Sequence, residues 1–134
     1  MPERKDGNKL KKIMNDPSNI VEEMLEGLVK SYPELVHRVE SSRVVAKNQK
    51  AEQVGLVSGG GSGHEPSHAG FVGEGMLSAA VLGDVFTSPT PDQIQTAIKE
   101  ADSGKGVLLI VKNYTGDALN FDMAIVFFFQ AEDG

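Results

Sequence analysis

Two stretches of the chain hold residues whose types and spacing could do chemistry. The first is Gly61-Ser62-Gly63-His64-Glu65-Pro66 and the second is Lys112-Asn113-Tyr114-Thr115-Gly116-Asp117. Each follows a run that reads as a buried strand. Val54 to Ser58 leads directly into Gly59-Gly60-Gly61-Ser62-Gly63, and Val107 to Val111 leads into Lys112. In an open α/β sheet, ligands bind at the carboxyl edge of the strands. Glycines there form a tight loop whose backbone N–H groups approach a ligand with no Cβ in the way. That edge would carry an imidazole (His64), an ammonium (Lys112) and a carboxylate (Asp117). Such a set hydrogen-bonds a small polyol or ketone and takes a proton from a hydroxyl. A plainer reading stands beside it: a tight turn at the glycines, and a solvated turn in which Asp117 caps a helix. Spacing alone does not choose between them.

Other motifs are matched in letters only. His64-Glu65-Pro66-Ser67-His68 spells H-E-x-x-H, the pattern of a zinc metallopeptidase. That motif needs both histidines on one face of a regular helix, and Pro66 between them lacks an N–H and clashes with the preceding turn. Gly60-Gly61-Ser62-Gly63 approaches G-x-S-x-G, but His64 stands at the final glycine and no histidine follows His68 to complete a triad. No Gly-Lys-Ser/Thr follows the glycines, and Pro66 stands where G-x-G-x-x-G needs its last glycine, so no ATP or dinucleotide fingerprint is present. No metal-binding residue set is expected. His37, among charges, reads as a surface residue.

The elements that must position these residues follow from periodicity. Met1 to Lys12 is polar and aperiodic and reads as a flexible extension. Asp16-Pro17 is a helix start, with Asp16 as cap and Pro17 in the first turn. Val21, Met24, Leu25, Leu28 and Val29 then recur at helical spacing, and Pro33 stops the helix soon after Lys30. Ser41 to Lys47 reads as a short strand, Phe71 to Val81 is ambiguous, and Val85-Phe86-Thr87 reads as a further short strand. Thr90-Pro91-Asp92-Gln93 reads as a capping box opening a helix whose apolar stripe is Ile94, Ala97, Ile98 and Ala101. The Thr87-Ser88-Pro89-Thr90-Pro91 loop before it is placed to approach the same sheet edge. Val107 to Val111 is apolar throughout, as expected inside a parallel sheet. Helix and strand in alternation give an α/β class, a layered sheet with flanking helices. Asp117 to Ala124 opens a helix, but Ile125 to Phe129 fits neither one helix face nor a capped end. The reading therefore divides the chain into an extension over 1–12, a partial domain over 13–125 and a non-native tail over 126–134.

Composition narrows the partners. The chain has 134 residues and a net charge of -6, which disfavours nucleic acid and anionic membranes. It has no cysteine, so disulfides and thiolate chemistry are excluded. No apolar run reaches membrane-spanning length, and the basic N-terminus leads into no apolar core of a secretory signal, so a cytoplasmic location is expected.

Three segments in register carry a resemblance: Leu56-Val57-Ser58-Gly59-Gly60-Gly61-Ser62-Gly63-His64-Glu65-Pro66, Phe86-Thr87-Ser88-Pro89-Thr90-Pro91-Asp92, and Leu108-Leu109-Ile110-Val111-Lys112-Asn113-Tyr114-Thr115-Gly116-Asp117. Together they resemble the dihydroxyacetone kinase (glycerone kinase) family, in the N-terminal portion of its dihydroxyacetone-binding K subunit. The resemblance covers roughly Leu10 to Ala124. It implies an α/β fold and a homodimer when full length. It implies that Gly61, Ser62, Gly63, His64, Lys112 and Asp117 bind the triose, with His64 and Asp117 as the acid/base pair. Such a base serves phosphoryl transfer mainly by orienting the nucleophile. The resemblance places ADP or ATP and magnesium on a partner L subunit or domain, with no cofactor on this chain. Ser88-Pro89-Thr90-Pro91-Asp92-Gln93 looks more like the branch with separate subunits, whose phosphoryl donor is the phosphoenolpyruvate-dependent phosphotransferase system. The family's further histidine, which holds the substrate carbonyl as a hemiaminal, has no counterpart in this chain, so the chain alone is expected to be inactive. Two alternatives accompany this reading: a zinc metallopeptidase and a non-catalytic triose-sensing subunit.

Overall fold

The computed structural model describes residues 11–132, with side chains through Phe127. The expectations for positions 1–10 and 133–134 lie outside the described residues. Three α-helices flank one sheet: α1 (Ile20–Ser31), α2 (Pro91–Ala101) and α3 (Thr115–Glu132). The strands are β1 (Val36–Arg38), β2 (Val44–Lys47), β3 (Gly55–Ser62), β4 (Ala79–Val85) and β5 (Val107–Ile110). Their spatial order is β1-β2-β4-β3-β5. The β1–β2 and β2–β4 pairs are antiparallel, whereas β3 runs parallel to both β4 and β5. The carboxyl ends of β3, β4 and β5 therefore open on one edge.

Each face of the sheet has its own core. On one face Val44, Ala46, Val57, Ala79 and Val81 pack against Ile94, Ala97, Ile98 and Ala101 of α2 and against Phe121 and Ala124 of α3. On the other, Val45, Ala80 and Leu82 meet Val21 and Leu25 of α1. The α1 start follows the sequence reading: Asp16 accepts from the Ser18 N–H at 2.8 Å, and a single 3₁₀ turn at Pro17–Asn19 leads into the helix.

Several elements differ from their sequence reading. The glycine run is strand rather than loop, since β3 continues through Gly59-Gly60-Gly61 to Ser62. Glycine is needed there because other backbone lies against the strand. A Cβ on Gly61 would stand 2.6 Å from the Thr87 nitrogen, and one on Gly59 would strike the Val81 carbonyl. Val85 ends β4, and Phe86 turns away with φ +53° rather than forming a strand with Thr87. The Thr90 side chain makes no capping bond. Gln93 does not complete a capping box, because its Oε1 accepts from the Arg43 N–H at 2.8 Å. Val107 to Ile110 is an edge strand with only one face covered. Val107 and Leu109 pack on the α2–α3 core, while Leu108 and Ile110 are 56% and 48% exposed. Continuous apolarity suits a central strand, but α1 covers the opposite face only over β1, β2 and β4. Finally, α3 runs through Ile125 and on to Glu132. No helix among the described residues is long and apolar enough to cross a membrane.

Candidate functional site

Three loops leave the shared strand edge and meet. The first follows β3. Gly63 takes φ +115°, a conformation that suits glycine, and its N–H donates to the Glu65 carboxylate at 3.1 Å. That turn presents the exposed His64 ring. The second loop follows β4. The Phe86 N–H donates to the Ser62 carbonyl at 2.7 Å, which holds this loop to the end of β3. The third follows β5 and carries Lys112, Tyr114 and, in the first turn of α3, Asp117. Asn120 of α3 donates to the Pro89 carbonyl at 2.9 Å, tying the third loop's helix to the loop before α2.

Aromatic contacts join the loops. The His64 ring meets Phe86 edge-on at 5.2 Å and stacks on Tyr114 at 6.4 Å. Lys112 Nζ lies 5.7 Å from the Tyr114 centroid. Imidazole, ammonium and carboxylate are thus gathered at one edge, as the strand order requires. Gly61 lies beneath the Phe86–Thr87 backbone. The Ser62 side chain is buried and donates to the Gly83 carbonyl at 2.8 Å, so its hydroxyl closes the strand pair. Asp117 is only 4% exposed, and its Oδ1 has no hydrogen-bond partner in the protein. A carboxylate in the first turn of a helix faces free N–H groups and the positive end of the helix dipole.

The sequence reading passed over His68 and Ser58. His68 is buried at 8% exposure, with Nδ1 3.0 Å from Ser58 Oγ. Ser58 Oγ donates its one hydrogen to the Ile110 carbonyl at 2.6 Å. The hydroxyl therefore accepts from His68 Nδ1–H, and this donor order assigns Nε2 as the ring's unprotonated nitrogen. Burial depresses the His68 pKa below the usual imidazole range, the Lys112 ammonium and His64 add to this, and the Asp117 carboxylate opposes it. The available signal was Ser58, a hydroxyl at the end of an otherwise apolar run. His68 itself was legible only as the second histidine of H-E-x-x-H. Residues 64–68 form turns rather than a helix, so the geometry of that zinc motif is not built. Among the described residues no three His, Asp or Glu side chains converge to hold a metal. His37, on β1, is half-buried and faces Asn48 and Glu100 through its two ring nitrogens.

The chain is similar to known proteins over most of its length. It is 70% identical over 116 residues, 86% of this chain and 35% of the relative, to the PTS-dependent dihydroxyacetone kinase 1, dihydroxyacetone-binding subunit DhaK, of Listeria innocua. It is 44% identical over 114 residues, 85% of this chain and 35% of the relative, to the DhaKLM operon coactivator DhaQ of Lactococcus lactis. Its fold superposes on the crystal structure of the dihydroxyacetone kinase from C. freundii in complex with AMP-PNP and Mg2+ with a TM-score of 0.85 and 42% identity, covering 91% of this chain and 24% of that one. The chain spans about a third of the length of the curated relatives quoted. The mixed sheet with its flanking helices is that of the dihydroxyacetone kinase K domain. With the Dak1 domain model matching residues 26–133, the chain belongs to the Dak1 domain family.

Proposed function

We propose that this chain supplies the triose-binding edge of the dihydroxyacetone-binding K subunit of a cytoplasmic dihydroxyacetone kinase. The subunit positions dihydroxyacetone for phosphorylation to dihydroxyacetone phosphate. Gly61 to His64 and Lys112 hold the triose, and Asp117 with His64 forms the acid/base pair at the hydroxyl that is phosphorylated. Residues 13–125 are the K-domain part. Nucleotide and magnesium sit on a partner L subunit, with the phosphotransferase system as phosphoryl source and a homodimer as the full-length K assembly. The Listeria innocua relative's name supports the donor branch.

The observation that carries this reading is the meeting of His64, Lys112 and Asp117 at the edge where β3 and β5 end in parallel. A buried carboxylate and an ammonium at one sheet edge suit a hydroxyl-bearing ligand: the one accepts its proton and the other steadies the oxygen left behind. Catalysis would rest mainly on alignment and charge, with the base orienting the attacking oxygen.

The test uses the full-length chain containing this segment, with its L subunit and phosphoryl donor, in a coupled assay for dihydroxyacetone phosphate. Asp117→Ala should lose most of the rate while keeping the fold. A wild-type rate would sink the assignment of the base. A second reading, a non-catalytic triose sensor, is favoured by the likeness to the coactivator from Lactococcus lactis. Tight dihydroxyacetone binding with no turnover beside a competent L subunit would select it.

A further inference from the structure

Phe86 takes φ +53°, yet its ring is left 69% exposed. A left-handed backbone suits glycine or asparagine, and for a bulky residue it is strained. The Thr87 N–H donates to the Asp84 carbonyl at 3.0 Å, so Asp84 to Thr87 form a turn with Phe86 at its third position. Val85, at the second, has no positive φ. A turn with positive φ at the third position alone calls for glycine or asparagine there. Burial of the ring does not offset the strain, since most of it is in water. A backbone outlier kept under such conditions points to function. The ring's contacts show where. It meets the His64 imidazole edge-on, with centroids 5.2 Å apart and planes 70° from parallel. Tyr114 stacks on the same imidazole. His64 is itself exposed, so these two aromatic contacts reach it from the loops after β4 and β5 rather than from a core.

We propose that Phe86 is a positioning residue that acts through His64: the strained turn after β4 aims the phenyl ring so that the imidazole is held, between Phe86 and Tyr114, in the orientation the reacting hydroxyl requires. The inference rests on the reading above, in which His64 serves that hydroxyl. An exposed imidazole left to turn about its two side-chain torsions spends part of its time pointing away, and only the aligned fraction contributes to the rate. An edge-to-face contact sets the positive edge of one ring against the negative face of the other, so it fixes an angle as well as a place. The Phe86 N–H, held by the Ser62 carbonyl at 2.7 Å, keeps the turn at the end of β3, one residue from the loop that carries His64. Glycine at position 86 would relax the backbone and give up the hold on the imidazole. Stability and alignment therefore favour different residues at this position.

The test again uses the full-length chain with its L subunit and donor. Phe86→Gly should raise the urea midpoint, because strain is relieved and little burial is lost. The same variant should lower kcat/KM for dihydroxyacetone by about 2–10-fold, the aromatic contact expressed as an equilibrium. A merely structural role would move both readouts in one direction. Phe86→Tyr keeps the ring and should restore the wild-type value, whereas Phe86→Leu keeps bulk alone and should not. In a His64→Ala background Phe86→Gly should have no further effect on kcat/KM, since the ring acts through the imidazole. A wild-type kcat/KM in Phe86→Gly overturns the proposal, as does a loss that accompanies a lowered midpoint or persists undiminished in the His64→Ala background. A loss abolished by saturating L subunit makes the ring a docking contact for that partner and also overturns it. Should Phe86→Gly fail to fold, Phe86→Leu decides: the same loss supports the proposal and a wild-type value overturns it. An impaired His64→Ala beside a wild-type Phe86→Gly removes this inference and leaves the reading of His64 standing. A fully active His64→Ala removes both.

Discussion

His64 and Tyr114 stack with their ring centroids 6.4 Å apart and their planes 26° from parallel. The contact bridges the loops that follow two neighbouring parallel strands, so it fixes an exposed imidazole relative to Lys112 and Asp117. Aromatic pairs of this kind contribute about 0.5–1.5 kcal/mol beyond buried area. In the full-length chain, Tyr114→Ala should weaken dihydroxyacetone binding by about 2–10-fold, the same energy expressed as an equilibrium. Calorimetry would read this, and far-UV circular dichroism should be unchanged.

Glycine substitutions should sort by what their Cβ meets. Gly83→Ala drives a methyl into the Thr87 carbonyl and the Pro89 nitrogen, which are backbone and cannot step aside, and should destabilise strongly. Gly27→Ala, in α1 with nothing within 4 Å, should stabilise by about 0.5–1 kcal/mol. Urea midpoints of the two variants should move in opposite directions.

Stability should depend on pH through His68. Its folded pKa is depressed, chiefly by burial. Between that lowered value and the ordinary imidazole value of about 6.5, the unfolded chain binds a proton that the folded chain does not. Stability therefore rises with pH across this window and gains nothing more from this group above it. His68→Asn should flatten that part of the curve in denaturant melts taken from pH 5 to 8.

A charged chain links α1 to the sheet. Glu22 accepts from Arg43 Nε at 2.8 Å and pairs with Arg38, and Arg43 also pairs with Asp84 at the end of β4. The Arg43 bond, foremost among the causes, holds the Glu22 carboxyl below the usual carboxylate range. Its contribution is present above the unfolded value and is lost as pH falls through the folded one. These groups are partly solvated, so Glu22→Gln should cost about 0.2–1 kcal/mol per lost pair, and less in high salt. Thermal melts at low and high ionic strength would show the difference.

Phe121 is fully buried between α3 and the sheet. Phe121→Ala should cost about 3–5 kcal/mol, the usual result of removing a core aromatic. Because α3 carries Asp117, ligand affinity should fall with stability in this variant. Calorimetric titration beside a urea melt would test the coupling.

Much of the scaffold was legible because local rules and packing agree. The Asp16-Pro17 start, the Val21–Leu25 stripe and the Ile94–Ala101 stripe each appear where their residues place them. The loops after β3 and β5 share an edge because both strands are short apolar runs feeding a parallel sheet. Where local and tertiary preferences disagreed, the reading failed. Gln93 has the spacing of a capping box, yet the free N–H of Arg43 claims its side chain. Gly59 to Gly61 has the letters of a loop, yet it is strand, because the Phe86–Thr87 backbone and Val81 lie against it.

His64, Lys112 and Asp117 were nameable from text because chemistry is written in side-chain type and the strand edge in periodicity. The stacking of His64 on Tyr114, and the burial of Asp117 and His68, came only with the fold. A hydroxyl at Ser58 and a ring at His68 have no local reason to meet, and β5 looks central until its neighbours are counted. Residue type and spacing determine which groups are available and which end of a strand they leave. Which of them lose water, and which are left holding an unpaired acceptor, depends on contacts between segments far apart in the chain, and only tertiary packing decides those.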